Sequence, residues 1–137
     1  MPPNNFHPRT PAPTETVELR GRVRCHLANI TTNSPTRHHY REMLEHELIT
    51  IFGGFSATPL IGGWRDDDRE RFVIEHGTTY EVTYSKSTHP DGERTLRNIF
   101  LRAARAIGEK FAYIEFNEVR VLIARVRPDT EEHDAHV

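Results

Sequence analysis

Hydrophobic and polar residues alternate from Val17 to Leu27, and this is the clearest pattern in the chain. Its apolar side consists of Val17, Leu19, Gly21, Val23, Cys25 and Leu27. A period of two is typical of a β-strand with one face on a core and the other in water. We therefore predict a first, half-buried strand here.

Two helices follow from a three- and four-residue spacing of apolar positions. Ser34-Pro35 places a hydroxyl at the N-cap and proline at the first helical position, and Gly53-Gly54 supplies the stop. The apolar stripe of this first helix is Tyr40, Met43, Leu44, Leu48, Ile51 and Phe52. A second helix is predicted over 93–107, with a buried stripe of Leu96, Ile99, Phe100, Ala103, Ala104 and Ile107.

The remaining apolar segments predict strands. One spans Phe55 to Trp64, and the next runs through Tyr80, Val82 and Tyr84. The aspartates at 66–68 with Arg69 are typical of a turn. The last segments are 113–116 and 119–126, with 117–118 as a turn between two short strands or a bulge in one.

This order is strand, helix, strand, strand, helix, strand. It predicts an α+β fold, a ferredoxin-like βαββαβ sandwich whose antiparallel sheet has two helices on one face. An α+β sandwich with another strand order is the alternative. In either case the second sheet face stays open to water or to a partner.

Composition divides the 137 residues into three parts. Residues 1–16 hold five prolines and little to bury, which predicts a disordered N-terminal tail. Residues 17–126 are expected to form one α+β domain, and residues 127–137 an acidic C-terminal tail.

Charge and cysteine content restrict the function classes. The formal net charge is −2, so attraction to nucleic acid would need a local patch. There is no apolar run near 18 residues and no secretory leader, which predicts neither a membrane span nor export. The single Cys25 permits no internal disulfide, and a reducing cytoplasm fits best.

The polar side of the first strand is a candidate partner or ligand surface. Arg20, Arg22, Arg24 and His26 stand about 7 Å apart in succession. Such a ladder on the open face fits a phosphodiester, a phosphorylated small ligand or an acidic protein. The alternative is that Glu81 on a neighbouring strand, with Glu18, pairs with these arginines.

Trp64 is the only tryptophan and the fifth candidate residue. It stands between Gly62-Gly63 and the acidic turn, where it would anchor a partner or stack on a base. The alternative is that it caps the core at the end of the second strand.

Residues that could carry catalysis do not form a recognised constellation. His39, Glu42 and His46 share a helix face and Asp66–Asp68 cluster, but neither spacing is a known metal signature. Cys25 falls on the buried side, away from any base. We expect no catalytic residues, no metal and no cofactor, with a small metal-dependent enzyme as the remaining alternative.

The segment 48–64 resembles a pattern in short bacterial, plasmid and phage proteins of unknown activity. The shared features are Phe52-Gly53-Gly54, Pro59 and Gly63-Trp64. The resemblance implies the same α+β layout and an origin in a mobile element. It implies no activity and no site residues.

These observations favour a non-enzymatic protein-interaction domain that binds a protein partner or itself. With the resemblance, the expected partner is host machinery, including a defence complex. The alternative is a binder of nucleic acid or of a phosphorylated small ligand that uses the arginine ladder.

Overall fold

The computed structural model describes residues 14–28, 30 and 34–126 of the protein. Its elements are β1 (Glu15–Leu27), α1 (Pro35–Phe52), β2 (Ser56–Asp66), β3 (Arg71–Ser85), α2 (Gly92–Ala106) and β4 (Tyr113–Ala124). The strands form one antiparallel sheet in the order β2-β3-β1-β4. This confirms the predicted ferredoxin-like βαββαβ sandwich with both helices on one face.

The chain divides into two units, residues 19–119 and a second unit whose described residues are 14–18 and 120–126. In the second of these, the backbone N–H of Arg125 donates to the carbonyl of Thr14 at 2.7 Å. The predicted tails lie almost wholly outside the described residues. A single domain over 17–126 stays a prediction.

The core of the 19–119 unit lies between the sheet and the two helices. Its fully buried side chains are led by Tyr80 and Phe100. Around them pack Val23, Cys25, Leu27, Leu44, Leu48, Val82 and Leu96. Every one of these positions was predicted to face a core, because each lies on an alternating strand or on a helical stripe.

The predicted burial of β1 is correct at only one end. Burial alternates from Gly21 to Leu27, whereas Val17 and Leu19 are exposed. Pairing with β3 covers Arg20–Leu27 and stops there, so Leu19 lies beyond the part of β1 that pairs with β3. The alternation predicted the strand but not the point at which its neighbour ends.

Helix α1 has the predicted ends. Ser34 is the N-cap and Pro35 opens the helix, although the Ser34 side chain makes no capping hydrogen bond. Gly53 closes it at φ 87, a left-handed conformation that suits glycine, and its N–H donates to the Ile49 carbonyl at 2.9 Å.

The predicted apolar stripe of α1 is wrong at two positions. Leu44 and Leu48 are buried, but Met43 and Ile51 are exposed. The buried line is narrower than the sequence suggested because Leu44 and Leu48 are one turn apart on the same ridge. Strand β4 is continuous through 117–118, so these residues do not separate two strands.

The β2–β3 hairpin is longer than predicted and extends past the pairing of β3 with β1. Strand β3 begins at Arg71, but it pairs with β1 only from Thr78 to Ser85. Its preceding residues pair with β2 alone, Gly77 with Leu60 and Arg71 with Asp66. We call this two-stranded ribbon, residues 60–77, the arm.

Candidate protein-contact surface

The arm exposes large apolar side chains on both of its faces. Phe72 is 84% exposed, and Ile61 and Ile74 are each 69% exposed. Trp64, 49% exposed, pairs with Val73 on the opposite face. A two-stranded ribbon with apolar residues on both sides has no core face of its own, which marks it as a contact surface.

Two glycines in β2 contribute to this exposure. Gly63 lies opposite Ile74 in the register, and Gly62 lies opposite Glu75. A glycine provides no side chain to cover its cross-strand neighbour. The side chains of Ile74 and Glu75 therefore lack cover from β2.

The acidic turn at the tip of the arm is held by ion pairs with its own arginines. The Arg65 Nε lies 3.0 Å from an Asp67 carboxylate oxygen, and the Arg69 Nε lies 3.8 Å from one of Asp66. Glu70 takes a left-handed backbone at φ 48. This is the turn that the sequence predicted at 66–69.

The arginine ladder lies on the sheet face opposite the helices, and carboxylates lie close to Arg22 and Arg24. The Glu81 Oε1 lies 3.2 Å from the Nε of Arg24 and 3.9 Å from that of Arg22. A Glu115 oxygen lies 3.7 Å from Nη1 of Arg24. The face thus combines positive and negative groups rather than presenting a uniform cationic strip.

His26 is ordered by the strands on either side of it. Its Nδ1 is 2.7 Å from the Thr79 hydroxyl, and its ring stacks on that of Tyr113 at 5.0 Å. The imidazole is therefore positioned within the sheet surface.

Trp64 lies on the same sheet face as the ladder. Side chains at alternate positions of a strand share a face, so Glu81 and Val73 of β3 point the same way. Arg24 pairs with Glu81, and Trp64 pairs with Val73. The five sequence-predicted residues therefore share one face of the 19–119 unit, with Trp64 in the arm and outside the core cluster.

The polar residues of α1 divide between solvent and a groove that the sequence did not reveal. His38 pairs with Glu42 at 2.8 Å on the exposed side. Glu45 instead accepts a hydrogen bond of 2.7 Å from the hydroxyl of buried Tyr80. Burial, and then the neighbouring Glu45, raise the pKa of Tyr80 far above its usual range.

A groove of about 430 Å³ lies beside this pair, between α1 and the base of the arm. Arg41, Glu45, His76 and Tyr80 contribute its polar groups, and Pro59 to Ile61 line its β2 side. The groove therefore brings a guanidinium, a carboxylate and an imidazole together. Helix α1 supplies Arg41 and Glu45, and strand β3 supplies His76, so the spacing of residues in the sequence could not indicate that the three groups line one groove.

Cys25 is a core residue, as its strand position predicted. The thiol is buried, and burial, with a smaller contribution from Glu109, raises its pKa to about 12. A thiol with so high a pKa does not form the nucleophilic thiolate near neutral pH.

Within the described residues, no three His, Cys, Asp or Glu side chains converge in a way that would hold a metal ion. His39, Glu42 and His46 do not form such a group. Neither described helix is both long and apolar enough to cross a bilayer.

Comparison with known proteins gives a likeness in fold. No family model and no curated protein sequence matches the chain. A phage SAM lyase in its apo state superposes with a TM-score of 0.51 at 11% identity, over 79% of this chain and 90% of that one. The complex of a phage SAM lyase with S-methyl-5'-thioadenosine gives 0.49 at 9% identity, over 77% and 88%.

CutA from Synechococcus elongatus is also similar, with a TM-score of 0.42 at 9% identity over 87% of this chain and 90% of CutA. At these identities the comparisons concern the fold alone. The chain is a ferredoxin-like α+β protein whose arm carries several of its most exposed large apolar side chains.

Proposed function

We propose that this chain is a protein-interaction domain that acts without catalysis and that the arm is its principal contact surface. On the open sheet face the surface continues from Trp64 to Arg20, Arg22, Arg24 and His26. The observation that carries the proposal is the exposure of Ile61, Phe72 and Ile74 on one face of the arm and of Trp64 on the other.

Binding of a partner would bury these apolar side chains. Covering a large apolar side chain contributes roughly 1.5–3 kcal/mol. Three of them, Ile61, Phe72 and Ile74, share one face of the arm and match the small cluster of anchors that dominates most protein interfaces. The neighbouring Arg and Glu side chains of the open face would then set orientation and partner choice.

We propose a phage or another mobile element as the source of the chain, acting in the cytoplasm on a host protein complex. The resemblance of segment 48–64 to short bacterial, plasmid and phage proteins supports this origin. The buried, unpaired thiol of Cys25 is compatible with a cytoplasmic setting.

The test compares serine substitutions of two phenylalanines with nearly equal exposure, Phe72 in the arm and Phe111 outside it. Self-association is measured by analytical ultracentrifugation over a concentration series, and heterologous binding by quantitative capture from a bacterial lysate. We expect Phe72→Ser to weaken the complexes at least about tenfold, the equivalent of about 1.4 kcal/mol. Phe111→Ser should leave them within about twofold.

Circular dichroism confirms that both variants keep the fold. Complexes that survive Phe72→Ser and Trp64→Ser together would overturn the arm as the contact surface. A wild-type chain that forms no complex in either assay would overturn the interaction function itself.

Binding of nucleic acid or a phosphorylated ligand to the open face remains the alternative use of the ladder. Glu81 and Glu115 offset the charge of Arg22 and Arg24. A phosphate would have to displace these carboxylates, which weakens the case for this interpretation relative to the arm.

A second candidate function is small-molecule chemistry in the groove beside Tyr80. Its support is the meeting of Arg41, Glu45 and His76 there, at a site open to solvent. The fold shared with the apo phage SAM lyase makes SAM the natural first probe. SAM carries cationic and anionic groups that a carboxylate and a guanidinium could complement.

The test incubates the protein with SAM and measures release of S-methyl-5'-thioadenosine by chromatography. If the groove is the site, Glu45→Gln should lower the rate at least about tenfold, because it removes a charged partner of the ligand. Glu42→Gln, on the exposed side of the same helix, is the matched control. No release by the wild type, or equal release by Glu45→Gln, removes this candidate.

A further inference from the structure

We infer that the partner of the arm is a second copy of this chain. The two copies pair across a twofold axis through the edge of β3 that faces away from β2, which we call the inner edge of β3. This inference rests on the proposed function, since it names the partner of the same surface. It depends on three properties of β3: an edge free to pair, residues suited to pairing, and a sequence complementary to itself.

The free edge is the side of β3 that faces away from β2 in the arm. From Arg71 to Gly77, β3 pairs with β2 on one side. On its other side, pairing with β1 begins only at Thr78, and no other strand in the described part of the chain takes its place. A row of backbone N–H and C=O groups on this edge is available to a new strand.

The inner edge of β3 is better suited to pairing than the outer edge of β2. Strand β2 contains Pro59, which has no N–H to donate, and the flexible pair Gly62-Gly63. These are features that blunt an edge. The β3 segment Phe72-Val73-Ile74 has β-branched and aromatic residues instead, which favour a strand.

The sequence of this edge is complementary to itself when two copies run antiparallel. With the axis at Val73, Val73 of one copy lies opposite Val73 of the other. Phe72 then lies opposite Ile74 of the second copy, and Arg71 lies opposite Glu75 of the second copy. Each apolar side chain meets an apolar one, and each charge meets its opposite, twice by symmetry.

The two charged residues have no competing ion pair in the described residues. Asp66, opposite Arg71 on β2, lies near the Arg69 guanidinium instead. Gly62, opposite Glu75, offers no side chain at all. Arg71 and Glu75 are therefore available to each other across the axis.

Pairing would also remedy the weakness of the ribbon itself. A two-stranded hairpin is marginal in water, whereas three or more strands with an apolar face are stable. Joining two arms gives a four-stranded ribbon, and Phe72 and Ile74 of the two copies would pack side by side on one of its faces. This is a closed, isologous contact between two identical patches.

The closing experiment reverses the charges one at a time and then mixes the variants. Arg71→Glu alone would set a carboxylate against a carboxylate at both contacts, and Glu75→Arg alone would set a guanidinium against a guanidinium. We expect each variant to weaken self-association at least about tenfold in sedimentation, because two attractions become two repulsions.

An equimolar mixture of the two variants should recover self-association partly. In the mixed pair, one contact joins the two introduced side chains and the other joins the two native ones, so both are complementary. We expect the mixed dimer to form within about threefold of the wild-type affinity.

A cysteine placed on the axis gives an independent measurement. Opposed residues in an antiparallel pair have Cα atoms about 4.5–5.5 Å apart, within disulfide reach. The native Cys25 is buried. Val73→Cys should therefore give a covalent dimer under mild oxidation, and Ile61→Cys, on the outer strand of the arm, should not.

The outcomes separate this inference from the proposed function. A wild-type protein that stays monomeric at high concentration contradicts the inference that the partner is a second copy. If the arm still captures another protein, the proposed protein-interaction function is retained. Self-association that is lost in Phe72→Ser, but not rescued by mixing the charge variants, overturns the β3 register alone. Self-association indifferent to Phe72→Ser overturns the pairing of two copies through β3, and complexes that also survive Phe72→Ser and Trp64→Ser together overturn the arm as the contact surface.

Discussion

Burial has made the Cys25 thiol inert rather than reactive. Its side chain faces the helices from the middle of β1, where burial keeps water away from a thiolate and Glu109 opposes its negative charge. The consequence is a pKa of about 12 in place of 9.0. A group whose pKa is raised by folding stabilises the folded state below its unfolded pKa, and this contribution is lost as the pH rises through the folded pKa.

This predicts a specific pH dependence for the Cys25→Ala variant. At pH 7 the variant should be less stable than the wild type because it leaves a small cavity. Between pH 9 and about 12, the difference in unfolding free energy should shrink by up to roughly 1.4 kcal/mol per pH unit. Urea denaturation of both proteins at several pH values measures this difference, and the titration of the tyrosines cancels because both proteins contain them. A difference that stays constant with pH would contradict the raised pKa of Cys25.

Single residues show where sequence reasoning succeeds and where it does not. The burial of Cys25 and the ends of α1 at Pro35 and Phe52 followed from local patterns. The contact of Glu45 with the Tyr80 hydroxyl could not be predicted in this way. An apolar stripe separates buried from exposed helix positions, but it does not indicate which carboxylate a distant tyrosine hydroxyl will reach. For Trp64 the sequence left two interpretations open, and its position outside the core cluster favours a contact residue over a cap on the core.

At the scale of elements, the arm begins at a tight crossing of backbones. A Cβ added to Gly77 would lie 2.6 Å from the Leu27 carbonyl oxygen and 2.6 Å from the Ala28 Cα. Both are backbone atoms and cannot move aside cheaply. Glycine is therefore required where β3 leaves the pairing with β1 and continues as a free ribbon.

Alanine at two arm glycines should have different effects. Gly77→Ala should destabilise the protein by about 1–3 kcal/mol because the backbone must shift. At Gly62 an added Cβ meets nothing within 4 Å, so Gly62→Ala should be neutral or slightly stabilising. Chemical denaturation of the two variants provides the measurement, and equal destabilisation would contradict the close backbone contact at Gly77.

The first part of β3 was not predicted because it lacks the signal that identifies a strand. Period-two alternation appears when one face meets a core and the other meets water. The arm segment Phe72-Val73-Ile74 is apolar at three successive positions, with no core on either side. The first part of β3 is recognised as a strand only from its pairing with β2 in the long hairpin. In the sequence, the aspartate-rich turn at 66–68 was the one local sign of that hairpin.

At the scale of the whole molecule, the order of elements was enough to predict the architecture. Two split βαβ units leave few ways to arrange four strands, and the order β2-β3-β1-β4 is the expected one. Assembly is a different matter. Assembly depends on which strand edges and apolar patches remain uncovered after folding. The register of strand pairing determines these, and the pattern of apolar and polar residues in the sequence does not reveal that register.

The position of Trp64 has an optical consequence. Because it is the only indole in the chain and lies in the arm, its ultraviolet emission reports on the ribbon and is insensitive to the helices and the core. An emission maximum that moves to shorter wavelength when a partner is added would therefore report that the Trp64 face of the arm has been covered. The chain carries its own spectroscopic label at the place where recognition is proposed to occur.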